Sequence, residues 1–175
     1  MSERIEIRES LPSDLARIED LYSDAFPGED LLPLTRELLQ EASLVLSLVG
    51  TIGTDLAGHV VFTTCGVAGS GEKVALLGPL AVGRPWQRQG NGGAIVSAGL
   101  QRLESAGATR VFVLGDPAYY GRLGFVPEAG VVPPYPLPAE WNGAWQSISL
   151  RGAGPSLRGR LSVPHPWRQP ALWAP

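Results

Sequence analysis

Ile5 and Ile7 alternate with charged neighbours, a period of two that predicts a strand with one buried face. The period then lengthens. Leu15, Ile18, Leu21 and Ala25 recur at helical spacing, Pro12 and Asp14 suit a helix's first turn, and Phe26-Pro27-Gly28 ends the run. A second helix over about Leu34–Glu41 leads to a strand Leu44–Ile52, a short turn near Gly53 to Asp55 and a partner strand Ala57–Thr64, which together read as a hairpin. After a loop from Ala68 to Glu72 come an apolar strand Val74–Val82, a glycine-rich turn, and a helix opening near Asn91. Its apolar positions are Ile95, Val96, Leu100 and Leu103, and it stops at Gly107. A strand Arg110–Leu114, a short helix Pro117–Leu123 and a final strand pair from Phe125 and from Gln146–Leu150 complete an α/β order.

Residues 127–175 hold ten of the 16 prolines and four of the five tryptophans, so long helices are not expected there. Trp141, Trp145, Trp167 and Trp173 are costly to leave in water, and the tail is expected to pack back on the domain or against a second subunit. At 175 residues with 44% hydrophobic content, one domain is expected, with a core over about 3–150 and a packed extension over 151–175.

Charge narrows the partners. A net charge of −3 gives no case for general nucleic-acid or membrane binding, and no segment approaches the apolar run that a membrane helix needs. The charged N-terminal stretch lacks the apolar core of an export signal, and the lone Cys65 suits a reducing compartment, so a cytoplasmic location is expected. Cys65 itself reads as a small buried residue of an apolar strand.

The turn carries the chemistry. It contains Gln87, Arg88, Gln89, Gly90, Asn91, Gly92 and Gly93. The glycines permit positive φ and remove the Cβ atoms that would hold a phosphate away from the main chain. Asn91 is suited to cap the helix that follows, whose N-terminus carries about half a positive charge, and Arg84 and Arg88 add whole charges nearby. No Lys followed by Ser or Thr succeeds the glycines, which sets aside a Walker-type loop, and the spacing is not GxGxxG, which weakens a dinucleotide fold. A strand followed by such a turn is suited to an acyl-coenzyme A: strand backbone for the pantetheine amides, turn N–H groups for the pyrophosphate.

On these residues the chain resembles the GNAT superfamily of N-acetyltransferases over residues 3–128. The superfamily's signature Q/R-x-x-G-x-G/A is matched by Gln87, Gly90 and Gly92. Leu80, Ala81 and Val82 before the turn, Gly124 and Phe125 after it, and Tyr120 four residues ahead of Gly124 stand where that family places them. The segments GPLAV, LGDPAYYGRLGF and PPYPLPAEW are similar to the bacterial YhbS-like branch. The resemblance implies a GNAT-type fold, a mixed and largely antiparallel central sheet flanked by helices, here with an irregular Pro- and Trp-rich C-terminal extension. It implies acetyl-CoA as co-substrate, an amine as acceptor, no metal, and a monomer or homodimer.

It also implies roles. Leu80, Ala81 and Val82 would face the acetyl carbonyl and pantetheine with their backbone. Gln87, Arg88, Gln89, Gly90, Asn91, Gly92 and Gly93 would hold the pyrophosphate, and Tyr120 would serve the departing thiolate, with Tyr119 as the competing candidate. Pro79 has no N–H to donate and offers a way to part the strand from its neighbour. The strand before the turn holds no carboxylate after Glu72, although many relatives keep one there as general base. Ordered water, His59, or another group is left for that task. Asp116 is better placed to cap a helix, and Glu29 and Asp30 either line an acceptor loop or, the better default, sit in a plain solvated loop. The expected function is N-acetyl transfer from acetyl-CoA to a small-molecule or peptide amine, and the alternative is a non-catalytic acyl-CoA-binding module.

Overall fold

The computed structural model describes residues 4–141, 143–150 and 156–174. The expected junction between core and extension falls at 151–155, outside the described residues. The chain divides into two compact units. One comprises Met1–Phe62 with Gly78–Gln101, the other Thr63–Leu77 with Arg102–Pro175.

In the first unit, β1 (Glu6–Glu9) pairs antiparallel with β2 (Val45–Ile52), from Glu6↔Thr51 to Glu9↔Leu48. The strand order continues through β3 (Asp55–Val67), whose residues up to Phe62 belong to this unit, to β4 (Val74–Val82), of which Gly78 onward belongs to it. Helix α1 (Leu15–Ala25) buries Ile18, Leu21 and Tyr22 against Val49, Leu56 and Ala81, with Ala25 partly buried beside them; of the expected apolar positions Leu15 is exposed instead, and Tyr22 joins the buried face. Helix α2 (Leu32–Gln40) begins two residues ahead of the expected start because Pro33 fits a first turn, where its missing N–H costs nothing.

Helix α3 (Asn91–Ser105) takes the opposite face. A Cβ on Gly50 or Gly58 would come within 2.9 or 2.5 Å of Ile95 Cδ1, and one on Gly99 within 2.1 Å of the Phe62 ring. Gly50 follows Val49 along β2, so the alternation of the strand puts α1 and α3 on opposite sides. Only glycine lets helix and sheet approach so closely at Gly99.

In the second unit, β4 pairs in parallel with β5 (Arg110–Leu114) from Val74↔Arg110 to Leu77↔Val113. β8 (Trp145–Ser149) runs antiparallel to β5, and the two-residue β6 (Val126–Pro127) lies on β8. β9 (Gly159–Ser162) pairs antiparallel with the end of β3 and parallel with β7 (Val131–Val132). This explains why β3 extends beyond the expected Ala57–Thr64: its last residues are paired by a strand almost a hundred positions away, Gly66↔Ser162 and Val67↔Leu161.

The tail tryptophans belong to this unit. Trp145 stacks on Phe112 with centroids 5.4 Å apart, and Trp173 lies 5.8 Å from Trp145 and 5.9 Å from Trp167. Each buried indole N–H has a partner: Trp145 donates to Val131 O, Trp167 to Thr63 Oγ1 and Trp173 to Trp167 O. Glu128 fixes the bend after β6. It accepts from Ser147 Oγ at 2.6 Å, from the N–H groups of Gly130 and Val131, and from Arg110. Burial pushes its pKa up, but these four donors together outweigh burial and hold the carboxyl below its usual range.

Candidate active site

Strand β4 leads into the turn at Gly83, whose N–H donates to Ala57 O. A single 3-10 turn, Arg84–Trp86, follows, and Gln87 leaves it in extended conformation. The next residues bend sharply, with Arg88 at φ 61° and Gly90 at φ 85°. Gly90 is the glycine that needs its freedom here. Gly92 and Gly93 are helical, so their contribution is the missing Cβ and not a left-handed φ.

Arg88, expected to hold the pyrophosphate and to add a charge, occupies the left-handed region, which no feature of the sequence signals, at a cost of about 1–2 kcal/mol for an L-residue. Two left-handed residues flanking Gln89 turn the main chain into the start of α3. The first bond into that helix is Ala94 N–H to Gly90 O, at 3.0 Å. The N–H groups of Asn91, Gly92 and Gly93 precede it and have no intrahelical acceptor. They form the positive end of the helix dipole, with no side-chain carbon at two of the three positions.

Three side-chain amides brace the turn from within. Gln87 Nε2 donates to Val82 O at 2.8 Å, Gln89 Nε2 to Pro85 O at 2.8 Å, and Asn91 Nδ2 to Trp86 O at 2.9 Å. Asn91 therefore does not cap the helix with its side chain. Gly90 supplies the capping carbonyl, and the Asn91 side chain is spent on holding the 3-10 turn. Arg84 is likewise not free to meet a phosphate with all its donors: its Nε donates to Asp24 O, and its own N–H donates to Asp24 Oδ2, both at 3.0 Å. Arg88 is exposed.

Leu80, Ala81 and Val82 lie at the end of β4, Ala81 buried and the other two partly so. The β4–β5 ladder stops at Leu77, before Gly78 and Pro79, so the backbone of these three residues lies outside it. The Gly78–Pro79 peptide is cis.

The turn and Leu80, Ala81 and Val82 all belong to the first unit; Tyr120 belongs to the second, on α4 (Pro117–Gly121). Asp116 caps that helix, accepting from Ala118 N–H at 3.0 Å. The Tyr120 ring meets Tyr119 edge-on at 5.0 Å and Phe125 at 5.6 Å, and lies so close to Gly115 that a Cβ there would stand 2.5 Å from Cε2. Burial, then the neighbouring Tyr119, push the Tyr120 phenol well above its ordinary pKa. It stays an O–H throughout the neutral range. Tyr119 is half-buried, with its pKa raised by burial, and its ring lies beneath the Arg122 guanidinium.

The candidate bases separate. His59 is fully buried between the Tyr22 hydroxyl, 2.9 Å from Nδ1, and Ser47 Oγ, 2.8 Å from Nε2. Burial draws its pKa down to about 3, against a small opposing pull from Asp14, so its place is structural. Glu29 and Asp30 are solvated in the segment between α1 and α2. Cys65 is buried, its thiol pushed up to about 12 by burial. Sequence reasoning did not reach Asp24 or Trp86. Asp24 lies 60 residues from the backbone N–H it accepts, and no local pattern signals such a pairing.

With this geometry the chain is a member of the acetyltransferase (GNAT) family, whose model matches residues 15–125. Its mixed, mostly antiparallel sheet with flanking helices is the GNAT fold. Among its relatives is the uncharacterized N-acetyltransferase YjhQ of Escherichia coli K12, 32% identical over 167 residues that cover 91% of this chain and 92% of that protein. The crystal structure of YhbS from Escherichia coli in complex with CoA is similar over 97% of this chain and 94% of that one, with 27% identity and a TM-score of 0.82. A GNAT acetyltransferase from Brucella melitensis in complex with acetyl-CoA matches over 94% of this chain and 99% of that one, with 26% identity and a TM-score of 0.74. Among the described residues no helix is long and apolar enough to cross a membrane.

Proposed function

We propose that the protein transfers the acetyl group of acetyl-CoA to a primary amine of a small molecule or peptide. The observation that carries this reading is the turn Gln87–Gly93: left-handed at Arg88 and Gly90, braced by three amides, and opening on helix N–H groups with no intrahelical acceptor. Such an array is complementary to a pyrophosphate. Gln87, Arg88, Gln89, Gly90, Asn91, Gly92 and Gly93 hold it in this reading, and the backbone of Leu80, Ala81 and Val82 meets the pantetheine amides and the acetyl carbonyl. The amine nitrogen attacks the thioester carbon, the C–S bond breaks, and the proton lost by the amine ends on the CoA thiol.

Tyr120 is the catalytic residue of this reading. A thiol's ordinary pKa is about 8.5. A phenol pushed above 10 by burial holds its own proton against such a thiolate, so Tyr120 acts as a hydrogen-bond donor to sulfur as charge builds there. β4 carries no carboxylate, which leaves the amine proton to water. Co-crystal neighbours with CoA and acetyl-CoA support the donor.

The test is release of free CoA thiol from acetyl-CoA across a panel of amines and peptides, repeated with Tyr120→Phe. The substitution keeps the ring's packing and removes one hydrogen bond, so kcat should fall at least tenfold with CoA affinity unchanged. CoA binding without turnover on any acceptor would favour a non-catalytic acyl-CoA-binding module.

A further inference from the structure

A chain of hydrogen bonds that acetyl transfer does not use runs through the first unit. Ser10 Oγ stands 2.7 Å from Ser47 Oγ, Ser47 Oγ 2.8 Å from His59 Nε2, and His59 Nδ1 2.9 Å from the Tyr22 hydroxyl. The inner half is closed, Tyr22 and His59 being buried. The outer half opens into a cavity of about 530 Å³, where Ser10 and Ser47 join Pro12, Ile18, Leu39 and Val45. At its wall Leu11 and Leu15 leave 56% and 38% of their surface in water, although both are large apolar residues. Of the charged groups there, Arg36 is already paired with Glu19, and Glu9 is exposed.

These features fix the chemistry of an occupant. The volume is that of a small-molecule site, and the wall is mainly aliphatic. The polar end is versatile. Each hydroxyl carries one proton and two acceptor sites, and a neutral imidazole donates from either nitrogen, so the chain can run in both directions. Ser10 can present a donor or an acceptor to the cavity. A ligand hydroxyl satisfies either arrangement, a hydrocarbon neither. We infer that this cavity is a second ligand site, taking a small uncharged molecule that joins an apolar body to a single hydroxyl. It would seat the hydroxyl on Ser10 and Ser47 and cover Leu11 and Leu15.

The probes are 4-tert-butylphenol and 4-tert-butyltoluene, nearly identical in shape, titrated into the full chain and followed by backbone amide shifts. The phenol should move the amides of Ser10, Leu11 and Ser47 and bind at least tenfold tighter than the toluene. In Ser10→Ala that preference should disappear. Leu15→Trp, which fills the mouth from its exposed side, should abolish binding of both probes while CoA affinity stays at the wild-type value. Phenol shifts elsewhere on the protein, equal affinity for the two probes, or undiminished binding in Leu15→Trp would each overturn the assignment. The mapping and the comparison of probes use the wild-type chain, so the inference is decided even where a variant does not fold. It is also independent of the acetyl-transfer reading, because the probe titrations that decide it require neither CoA nor turnover.

Discussion

Arg88 offers a prediction in which stability and affinity move in opposite directions. Its φ of 61° is left-handed, which costs an L-residue about 1–2 kcal/mol and costs glycine nothing. Arg88→Gly removes that strain but adds freedom to the unfolded chain, worth about 0.4–1 kcal/mol against the fold. The difference leaves a net gain of about 0.5–1 kcal/mol. For a chain of this length that is a rise in Tm of about 1–4 °C. The same substitution deletes an exposed guanidinium from the mouth of the proposed pyrophosphate site. An exposed ion pair contributes up to about 1 kcal/mol, so CoA should bind about fivefold more weakly, and with a shallower dependence on salt.

Arg88→Ala separates the two effects. It loses the same charge and keeps the left-handed strain, so its CoA affinity should match the glycine variant while its stability falls about 1 kcal/mol below it. Differential scanning calorimetry of the three unliganded proteins and isothermal titration with CoA measure both quantities. Equal stability of the Gly and Ala variants would refute the left-handed conformation at Arg88. Wild-type CoA affinity in both would refute the role of the guanidinium.

Other expectations follow from packing and charge. Trp173→Ala should cost about 3–5 kcal/mol in urea denaturation, because the ring is fully buried against Trp145 and Trp167; a loss under about 1 kcal/mol would mean that the tail does not hold the second unit together. Gly99→Ala should destabilise by about 1–3 kcal/mol through collision with Phe62, and a double-mutant cycle with Phe62→Leu should recover part of it. His59 has a folded pKa of about 3, well below the 6.5 of an unfolded chain, so the unfolded state binds the extra proton as pH falls. Its contribution is complete above pH 6.5 and is lost as pH falls toward 3. Between pH 7 and 4.5 stability should drop by about 2–3 kcal/mol from this group, and His59→Gln should flatten the profile over that window.

What the sequence could and could not say follows from the range of each interaction. The bend of the turn was legible because its determinants are neighbours, glycines that admit it and expose a helix start, whereas the braces from the Gln87, Gln89 and Asn91 amides to carbonyls four or five residues back were not, Asn91 being expected as a cap. The apolar faces of α1 and α3 were legible for the same reason, since 3.6-residue periodicity is local. The positive φ at Arg88 was not, because an Arg gives no sign of the left-handed region that glycine or asparagine would. Nor was the brace from Asp24 to Arg84, the pairing of β9 on β3, or the line from Ser10 through Ser47 to His59 and Tyr22. Each joins residues dozens of positions apart, where only the folded chain sets the distance.

The same distinction bears on the missing base. A carboxylate on β4 would have been visible at once, and Val74–Val82 has none. The one imidazole on an adjacent strand is sealed inside a hydrogen-bonded chain and kept neutral by burial, and Tyr120 is kept protonated by the same physical cause on α4. Burial thus removes His59 and Tyr120 from the role of proton acceptor, while Glu29 and Asp30 stand solvated between α1 and α2. In the proposed reaction the acceptor amine then arrives already neutral, or loses its proton to water on attack. Turnover should accordingly rise with pH according to the pKa of the amine supplied, and the midpoint of the pH–rate profile should shift from one acceptor to another. A midpoint that stays fixed across acceptors of different basicity would reveal a protein base after all, and would send the search to the residues between α1 and α2.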